Sequence, residues 1–266
     1  MAVARQVLYR YEGEDGTIEV VQESGVRSLH FGTLSKQSSL DPEAPYRLVL
    51  PYTRILTAGL PFMTDPGRVL LVGLGGGALA QFFLHYFPAT QVDVVESWPP
   101  VVAVARDYFD LPVTDPRLTI HYDEGEVFLA DPARHPAGGW DLIISDAYEA
   151  DGPAAPTLEA AFYDQCRAAL AEGGILAANL WSSDRRRLQG ALRTLEAVFG
   201  RPVYRLQARG RANVAALAGK PPLPEGDLGS YHRRARQLEK ATGIDYPRYL
   251  GDMRVVRKGW LPFLGD

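Results

Sequence analysis

Hydrophobic residues follow one pattern in the first 45 positions and another in the rest of the chain. In the first part, short β-prone runs at 7–9, 17–21 and 28–31 alternate with turn-forming sequences at 14–16 and 23–25. Gly, Ser and acidic residues between such runs are typical of tight turns that join paired strands. The pattern predicts a small antiparallel β cap over residues 1–45, ending in a polar loop at 35–45.

From residue 46 onward, segments of helical periodicity alternate with short continuous apolar runs. The runs predict strands at 69–72, 92–95, 118–121, 141–145, 175–180, 203–206 and 213–218, and the periodic segments predict helices at 46–59, 79–86, 99–109, 157–171, 184–199 and 231–241. Gly173-Gly174 is expected to end the fourth of these helices. Continuous apolar strands are covered on both faces. Strands that alternate with helices predict a doubly wound, mostly parallel, Rossmann-like α/β catalytic domain over residues 46–266.

The first strand of that sheet runs directly into a glycine-rich turn. Gly73, Gly75 and Gly77 stand between the predicted strand at 69–72 and the next helix. Glu96 ends the following strand, roughly twenty residues further on, where an acid can hold the hydroxyls of a ribose. The sequence therefore predicts a nucleotide site, and both NAD and an S-adenosyl compound fit this arrangement.

Acidic residues also follow the third and fourth strands. Asp123 and Glu124 come after the run at 118–121, and Asp146 follows the run at 141–145. The carboxyl ends of parallel strands open onto one crevice, so we expect these acids to meet the glycine-rich turn. An acid at the fourth strand end, followed by helix, Gly-Gly and strand, is the usual layout of S-adenosylmethionine-dependent transferases.

Composition narrows the class of protein. A formal charge of −4 argues against a nucleic-acid-binding protein, which is usually basic. The single cysteine, Cys166, excludes an internal disulfide, and we expect it in the core. No apolar run reaches 18 residues, and the five histidines show no metal-ligand spacing. We expect a cytoplasmic enzyme that uses no metal and binds neither nucleic acid nor membrane.

Three stretches of the chain resemble the spermidine synthase family, the polyamine aminopropyltransferases. They are the strand and turn at 69–77, the strand end Val95-Glu96-Ser97, and the segment at 146–154, which keeps the family's Asp at Asp146 and its Gly-Pro-Ala at 152–154. The similarity extends from the β cap through residue 218. It implies transfer of an aminopropyl group from decarboxylated S-adenosylmethionine to a polyamine or a related small amine.

The resemblance also implies roles for single residues. Asp146 would be the catalytic residue, Glu96 would bind the ribose, and Glu124, with Asp123 as a near alternative, would bind the adenine. Gln37 would contribute to the donor site, and Tyr46, Tyr148 and Glu149 would bind the amine substrate, beside Trp181 as a further wall residue. Whether the chain forms a homodimer stays open.

Other positions depart from the family. The turn has Gly76 where the family usually carries the Asp that anchors the aminopropyl amine, and Glu149 stands in place of a second active-site Asp. Tyr46 is followed by Arg47 and Leu48 instead of His or Gln and then Glu. These departures keep three alternatives open. They are methyl transfer from S-adenosylmethionine to a small molecule, a nucleotide-binding module without transferase activity, and an NAD-dependent oxidoreductase.

Overall fold

The computed structural model describes residues 5–13, 16–149 and 152–256. The chain begins with a four-stranded antiparallel sheet of order β1-β2-β3-β4, formed by β1 (Gln6–Gly13), β2 (Gly16–Glu23), β3 (Val26–His30) and β4 (Ser38–Leu40). The predicted β cap is thus confirmed as a sheet, and β4 is an addition, since Ser-Ser-Leu carries no β-prone run. The turn predicted at 14–16 includes Glu14 and Asp15, which lie outside the described residues. The domain division at residue 45 stays a prediction.

The second sheet has eight strands in the order β14-β12-β13-β11-β8-β5-β6-β7. They are β5 (Arg68–Val72), β6 (Gln91–Val95), β7 (Leu118–His121), β8 (Trp140–Ser145), β11 (Leu170–Trp181), β12 (Tyr204–Gln207), β13 (Asn213–Lys220) and β14 (Arg254–Val255). Five neighbouring strands of this sheet are parallel, namely β11, β8, β5, β6 and β7. At the other edge, β13, β12 and β14 each pair with their neighbours in the antiparallel direction. The expected doubly wound, mostly parallel sheet is confirmed. A two-stranded hairpin, β9 (Tyr148–Glu149) with β10 (Gly152–Pro153), follows β8.

Helices cover both faces of this sheet. They are α1 (Pro51–Leu56), α2 (Ala78–Tyr86), α3 (Pro99–Tyr108), α4 (Gly125–Ala130), α5 (Ala160–Ala169), α6 (Arg185–Phe199), α7 (His232–Thr242) and α8 (Tyr246–Asp252). Short 3₁₀ turns lie at Leu60–Phe62, Pro132–Arg134, Ala155–Leu158 and Leu228–Tyr231. Alternate residues of β5 enter different cores. Leu71 packs in the core that contains Phe82 of α2, and Leu70 packs in the core that contains Phe162 of α5 and Cys166.

Two predicted helices have different bounds in the structure. The helix predicted at 46–59 begins at Pro51, because a residue before proline avoids the α region and proline suits the first helical turn. Accordingly Leu50 is extended, with ψ of 134°. The helix predicted at 157–171 spans Ala160–Ala169 and ends before Gly173-Gly174, which instead form an irregular entry into β11. Two helices, α4 and α8, were not predicted.

Candidate active site

A cavity of about 780 Å³ opens at the carboxyl ends of the parallel strands. The turn after β5 and the residues that follow β6, β7, β8 and β11 form its floor, and residues of the β cap, including Phe31 and Gln37, form the opposite wall. Of the residues predicted for the site, the cavity brings together Gly73, Gly75, Glu96, Asp123, Glu124, Asp146, Gln37 and Tyr148. This is the position at which doubly wound sheets bind ligands.

The glycine-rich turn brings two strand ends into close contact. Gly73 has φ of +95°, and a Cβ placed on it would lie 2.6 Å from the main-chain oxygen of Asp146. Only glycine combines this conformation with so short a distance. Gly75, with φ of +54°, lines the cavity, whereas Gly77, with φ of +75°, precedes α2 and is not among the lining residues. The turn therefore depends on backbone conformations that favour glycine.

Glu96 connects the glycine-rich turn to the end of β6. One carboxylate oxygen accepts a hydrogen bond from the main-chain N–H of Leu74 at 3.0 Å, and the other accepts from the N–H of Trp98 at 2.9 Å. Burial raises the pKa of Glu96, and the hydrogen bonds act in the opposite direction. Each oxygen keeps a second lone pair with which it can accept a ligand hydroxyl.

The two acids after β7 have different surroundings. Asp123 forms an ion pair with Arg134, which lowers the pKa of its carboxyl, and it accepts the N–H of Glu124 at 2.9 Å. The Glu124 side chain is exposed and has no hydrogen-bond partner among the described residues. Asp123 thus has a structural partner, and Glu124 is the acid with a carboxylate available to a ligand.

Asp146 lies at the end of β8, where its main-chain N–H donates to the oxygen of Val72 at 2.8 Å. Its Oδ1 accepts a hydrogen bond of 2.7 Å from Nδ2 of Asn179, a buried residue of β11. Burial raises the pKa of Asp146 to about 7, and the bond from Asn179 lowers it. A carboxyl group with this pKa can both accept and release a proton near neutral pH. Asn179 was not predicted from the sequence.

Aromatic residues surround Asp146. The rings of Tyr148 and Trp181 lie 5.6 Å apart, and the Tyr148 hydroxyl donates to the main-chain oxygen of Asn179 at 3.3 Å. Tyr52, from α1, donates its hydroxyl proton to the main-chain oxygen of Gln37 at 2.6 Å. Burial and the nearby charge of Asp146 raise the pKa of Tyr52. The walls at this end of the cavity are therefore largely aromatic, and the lining also includes the positively charged Arg211, which acts on the pKa of Tyr52 in the opposite direction.

The structure places Tyr46 outside the cavity, and the substrate-binding role expected of it stays a prediction. Its ring stacks on His85 at 3.5 Å with nearly parallel planes, and it is not among the residues that line the cavity. Tyr52, six positions further on, is the tyrosine of this segment that reaches the site. The difference arises because the chain turns at 45–47 and enters the helix only at Pro51.

For Glu149, the structure gives the main-chain position. It lies in β9, opposite Gly152 of β10, directly after Tyr148. Ala150 and Asp151, which also belong to the acidic segment singled out in the sequence, lie outside the described residues. The role expected of Glu149 stays a prediction.

Within residues 5–13, 16–149 and 152–256, no group of three or more His, Cys, Asp or Glu side chains is arranged to hold a metal ion. Over the same residues, every helix is too short or too polar to cross a membrane.

A doubly wound sheet with acids from successive strand ends around a glycine-rich turn is an α/β fold of the methyltransferase type. The spermine/spermidine synthase domain matches residues 50–186 of the chain. Polyamine aminopropyltransferases from Neisseria meningitidis and Chromobacterium violaceum are 33% and 32% identical to it, each over 89% of both chains. The chain belongs to the spermine/spermidine synthase family.

Solved structures agree on the fold. A probable spermidine synthase from Corynebacterium glutamicum superposes with a TM-score of 0.73 at 20% identity, covering 97% of this chain and 99% of the other. A spermidine synthase in complex with the transition-state analogue AdoDATO superposes with a TM-score of 0.71 at 18% identity, covering 92% and 85%. Human methyltransferase-like protein 13, bound to SAH, gives a TM-score of 0.60 at 24% identity, covering 79% and 97%.

Proposed function

We propose that this protein transfers an aminopropyl group from decarboxylated S-adenosylmethionine to a polyamine or a related small amine. The observation that carries the proposal is Asp146, a carboxyl group with a pKa of about 7, at the aromatic end of a cavity whose other end has the features of a nucleoside site. The family names of the relatives point to the same reaction.

The donor would lie along the strand ends. In this proposal Glu96 accepts hydrogen bonds from the ribose hydroxyls, for which its oxygens have lone pairs left over from Leu74 and Trp98. Glu124 accepts a hydrogen bond from the amino group of the adenine, and Asp123 supports the loop through its ion pair with Arg134. The main chain of the turn at Gly75 approaches the donor at its sulfur end.

The acceptor amine must lose a proton before it can attack. A primary amine has a pKa near 10.4, so only about one molecule in a few thousand is neutral at pH 7. The Asp146 carboxylate takes this proton from the incoming ammonium group. The nitrogen lone pair then attacks the carbon bound to sulfur, and the carbon–sulfur bond breaks with its electron pair moving to the sulfur. The products are a neutral thioether and a secondary ammonium ion.

The residues around Asp146 would align the amine. Tyr148 and Trp181 provide flat walls, and Tyr52 closes the site against the cap through its bond to Gln37. Alignment and exclusion of water supply much of the rate in a direct displacement of this kind, because no covalent intermediate with the protein is needed.

A second candidate is methyl transfer from S-adenosylmethionine. Gly76 favours it, because a Cβ at this position would lie 2.8 Å from both the Phe109 ring and the Ser38 hydroxyl, which occupy the space that an acidic side chain would need. The chain is also 30% identical, over 57% of its own length and 24% of the relative's length, to the eEF1A lysine and N-terminal methyltransferase of Xenopus laevis.

A comparison of donors tests the proposal. The protein is incubated with putrescine or spermidine and either decarboxylated S-adenosylmethionine or S-adenosylmethionine, and the products are identified by mass spectrometry. An aminopropylated amine with the first donor supports the proposal, a methylated product supports the alternative, and binding of methylthioadenosine without turnover would indicate a binding module. We further propose a cytoplasmic enzyme with a β cap (1–45) and a catalytic domain (46–266), and leave dimer formation as a prediction for light scattering.

A further inference from the structure

Asn179 is a polar side chain inside an apolar strand. It lies between Ala178 and Leu180 in β11, a strand covered on both faces, and only 4% of its surface is exposed. Buried amide groups are costly unless their hydrogen bonds are made. Both ends of the Asn179 amide have partners. Its Nδ2 donates to Oδ1 of Asp146 at 2.7 Å, and its Oδ1 accepts from Nδ2 of Asn213 at 3.1 Å.

The bond from Asn213 determines which way the Asn179 amide points. Asn213 begins β13 and binds the amide oxygen of Asn179, whereas the amide nitrogen of Asn179 binds Asp146. If the Asn179 amide were reversed, its oxygen would face the Asp146 carboxylate, and its NH₂ group would face the NH₂ group of Asn213. Both contacts would be repulsive while Asn213 keeps its own orientation, in which its side chain also forms a hydrogen bond with the Tyr148 hydroxyl. The Asn179 amide therefore presents its NH₂ group to Asp146.

We propose that Asn179, oriented by Asn213, is a positioning residue that holds the Asp146 carboxylate toward the acceptor amine and favours its ionised form. This inference rests on the proposed function, since it assigns no reaction of its own. It adds two residues, one on β11 and one on β13, to the machinery of proton transfer.

Other groups near Asp146 do not replace this donor. Tyr52 from α1 and Tyr148 from β9 face the carboxyl, and their hydroxyls donate to main-chain oxygens instead. Arg211 lies close enough to affect the pKa of Tyr52. Among the described residues, Asn179 is the one side chain that donates a hydrogen bond to Asp146. A hydrogen bond to the charged form lowers the pKa of a carboxyl group. Loss of the bond from Asn179 should therefore raise the pKa of Asp146, because burial then acts on it without this opposing effect.

The test is the pH dependence of aminopropyl transfer in Asn179→Leu, which keeps a branched side chain and cannot donate. The ratio of variant to wild-type rate cancels the titration of the amine itself. We expect the midpoint of the limb that reports ionisation of Asp146 to move to a higher pH by about one unit, because the carboxylate loses a hydrogen bond that stabilises its charged form. The variant should then be about tenfold slower than wild type at pH 6 and regain most of the difference above pH 9.

Two further variants make the test specific. Asn213→Leu leaves the donor in place but removes its orientation, and we expect a smaller shift in the same direction. Ser182→Ala is the matched control, because Ser182 follows β11 and donates at 2.8 Å to the main-chain oxygen of Ala212, which precedes β13, and forms no hydrogen bond with Asp146. This control should keep the wild-type profile.

The outcomes separate this inference from the proposed function. If wild-type protein transfers no aminopropyl group, the proposed function fails. If wild type is active and Asn179→Leu loses the same fraction of activity at every pH, Asn179 has a merely structural role and the inference is overturned. Binding of methylthioadenosine and circular dichroism verify that each variant is folded. Should Asn179→Leu not fold, the profile of Asn213→Leu decides, and an unshifted limb there overturns the inference.

Discussion

The main-chain N–H of Leu74 donates a hydrogen bond of 3.0 Å to the carboxylate of Glu96. The residue that we expect to bind the ribose therefore also holds the glycine-rich turn in place. Its second oxygen does the same for the N–H of Trp98, at the start of the segment that leads into α3. If Glu96 binds the ribose as proposed, a single side chain links ligand binding to the conformation of the glycine-rich turn.

Glu96→Ala should weaken binding of methylthioadenosine by about 1.5–3 kcal/mol, because buried polar groups on both sides lose their partner. Isothermal titration calorimetry measures the effect, and the melting temperature should fall as well, since two main-chain N–H groups are left unpaired. Glu43→Ala, at an exposed position of the cap loop, is the matched control and should bind like wild type. Unchanged affinity in folded Glu96→Ala would remove Glu96 from the site.

Asp146→Asn should abolish proton transfer and at the same time stabilise the protein. Burial raises the pKa of Asp146 to about 7 from its ordinary value of 3.8, so the folded protein binds a proton that the unfolded chain has released. The stability contributed by this group is present below about pH 4 and is lost as the pH rises to 7, by up to about 4 kcal/mol.

Urea denaturation of wild type and Asp146→Asn between pH 5 and pH 8 measures this difference. The free energy of unfolding of the variant should exceed that of wild type most at pH 8, and the gap should narrow toward pH 5. Turnover should fall by about two orders of magnitude or more, with little change in nucleotide affinity. Parallel stability curves for the two proteins would contradict the raised pKa.

Tyr52→Phe and Tyr46→Phe form a matched pair that tests the position of the cavity wall. Tyr52→Phe removes the hydroxyl that joins α1 to Gln37, and we expect kcat/KM for the amine to fall about fivefold, as for one lost hydrogen bond. Tyr46→Phe keeps its ring on His85 and should leave the kinetics unchanged. The reverse order of effects would restore Tyr46 as the substrate-binding residue.

Gly76→Asp should lower stability without improving aminopropyl transfer. A Cβ at this position would lie 2.8 Å from the Phe109 ring, which is fully buried and cannot move freely. Overpacking of this kind costs about 1–3 kcal/mol. Thermal unfolding and steady-state kinetics check both parts. A stable variant with faster aminopropyl transfer would mean that the site does have room for an acid at residue 76.

Much of the fold could be predicted because the buried strands are continuous apolar runs. The run at 69–72, for example, needs no partner from elsewhere in the chain to be identified. The residue at which a helix begins was harder to predict. The predicted helix begins at residue 46, whereas in the structure Pro51 determines where the helix begins. The short helix α4 was not predicted, because a glycine such as Gly125 that follows two acids is typical of a turn.

The candidate site could be predicted where its residues follow strands. Glu96, Glu124 and Asp146 were found this way, since strand ends of a parallel sheet share one edge. Asn179 could not be found, because it lies inside a strand and its partner Asp146 is 33 positions away. One sequence signal could have identified it. A single side-chain amide lies within the apolar run at 175–180, and a buried amide requires a hydrogen-bond partner.

The buried carboxyl of Asp146 has a consequence for the order in which ligands enter and leave. In the proposed reaction, a sulfonium donor brings a positive charge close to a carboxyl group that is half ionised near pH 7. The positive charge favours the ionised form of Asp146, and the ionised form favours binding of the donor. Binding of the donor is therefore accompanied by release of a proton. In the proposed reaction, transfer moves the positive charge from sulfur to nitrogen and leaves Asp146 protonated. The thioether that remains is neutral and faces a neutral acid. The electrostatic attraction that retained the donor has therefore disappeared when the spent nucleoside has to depart.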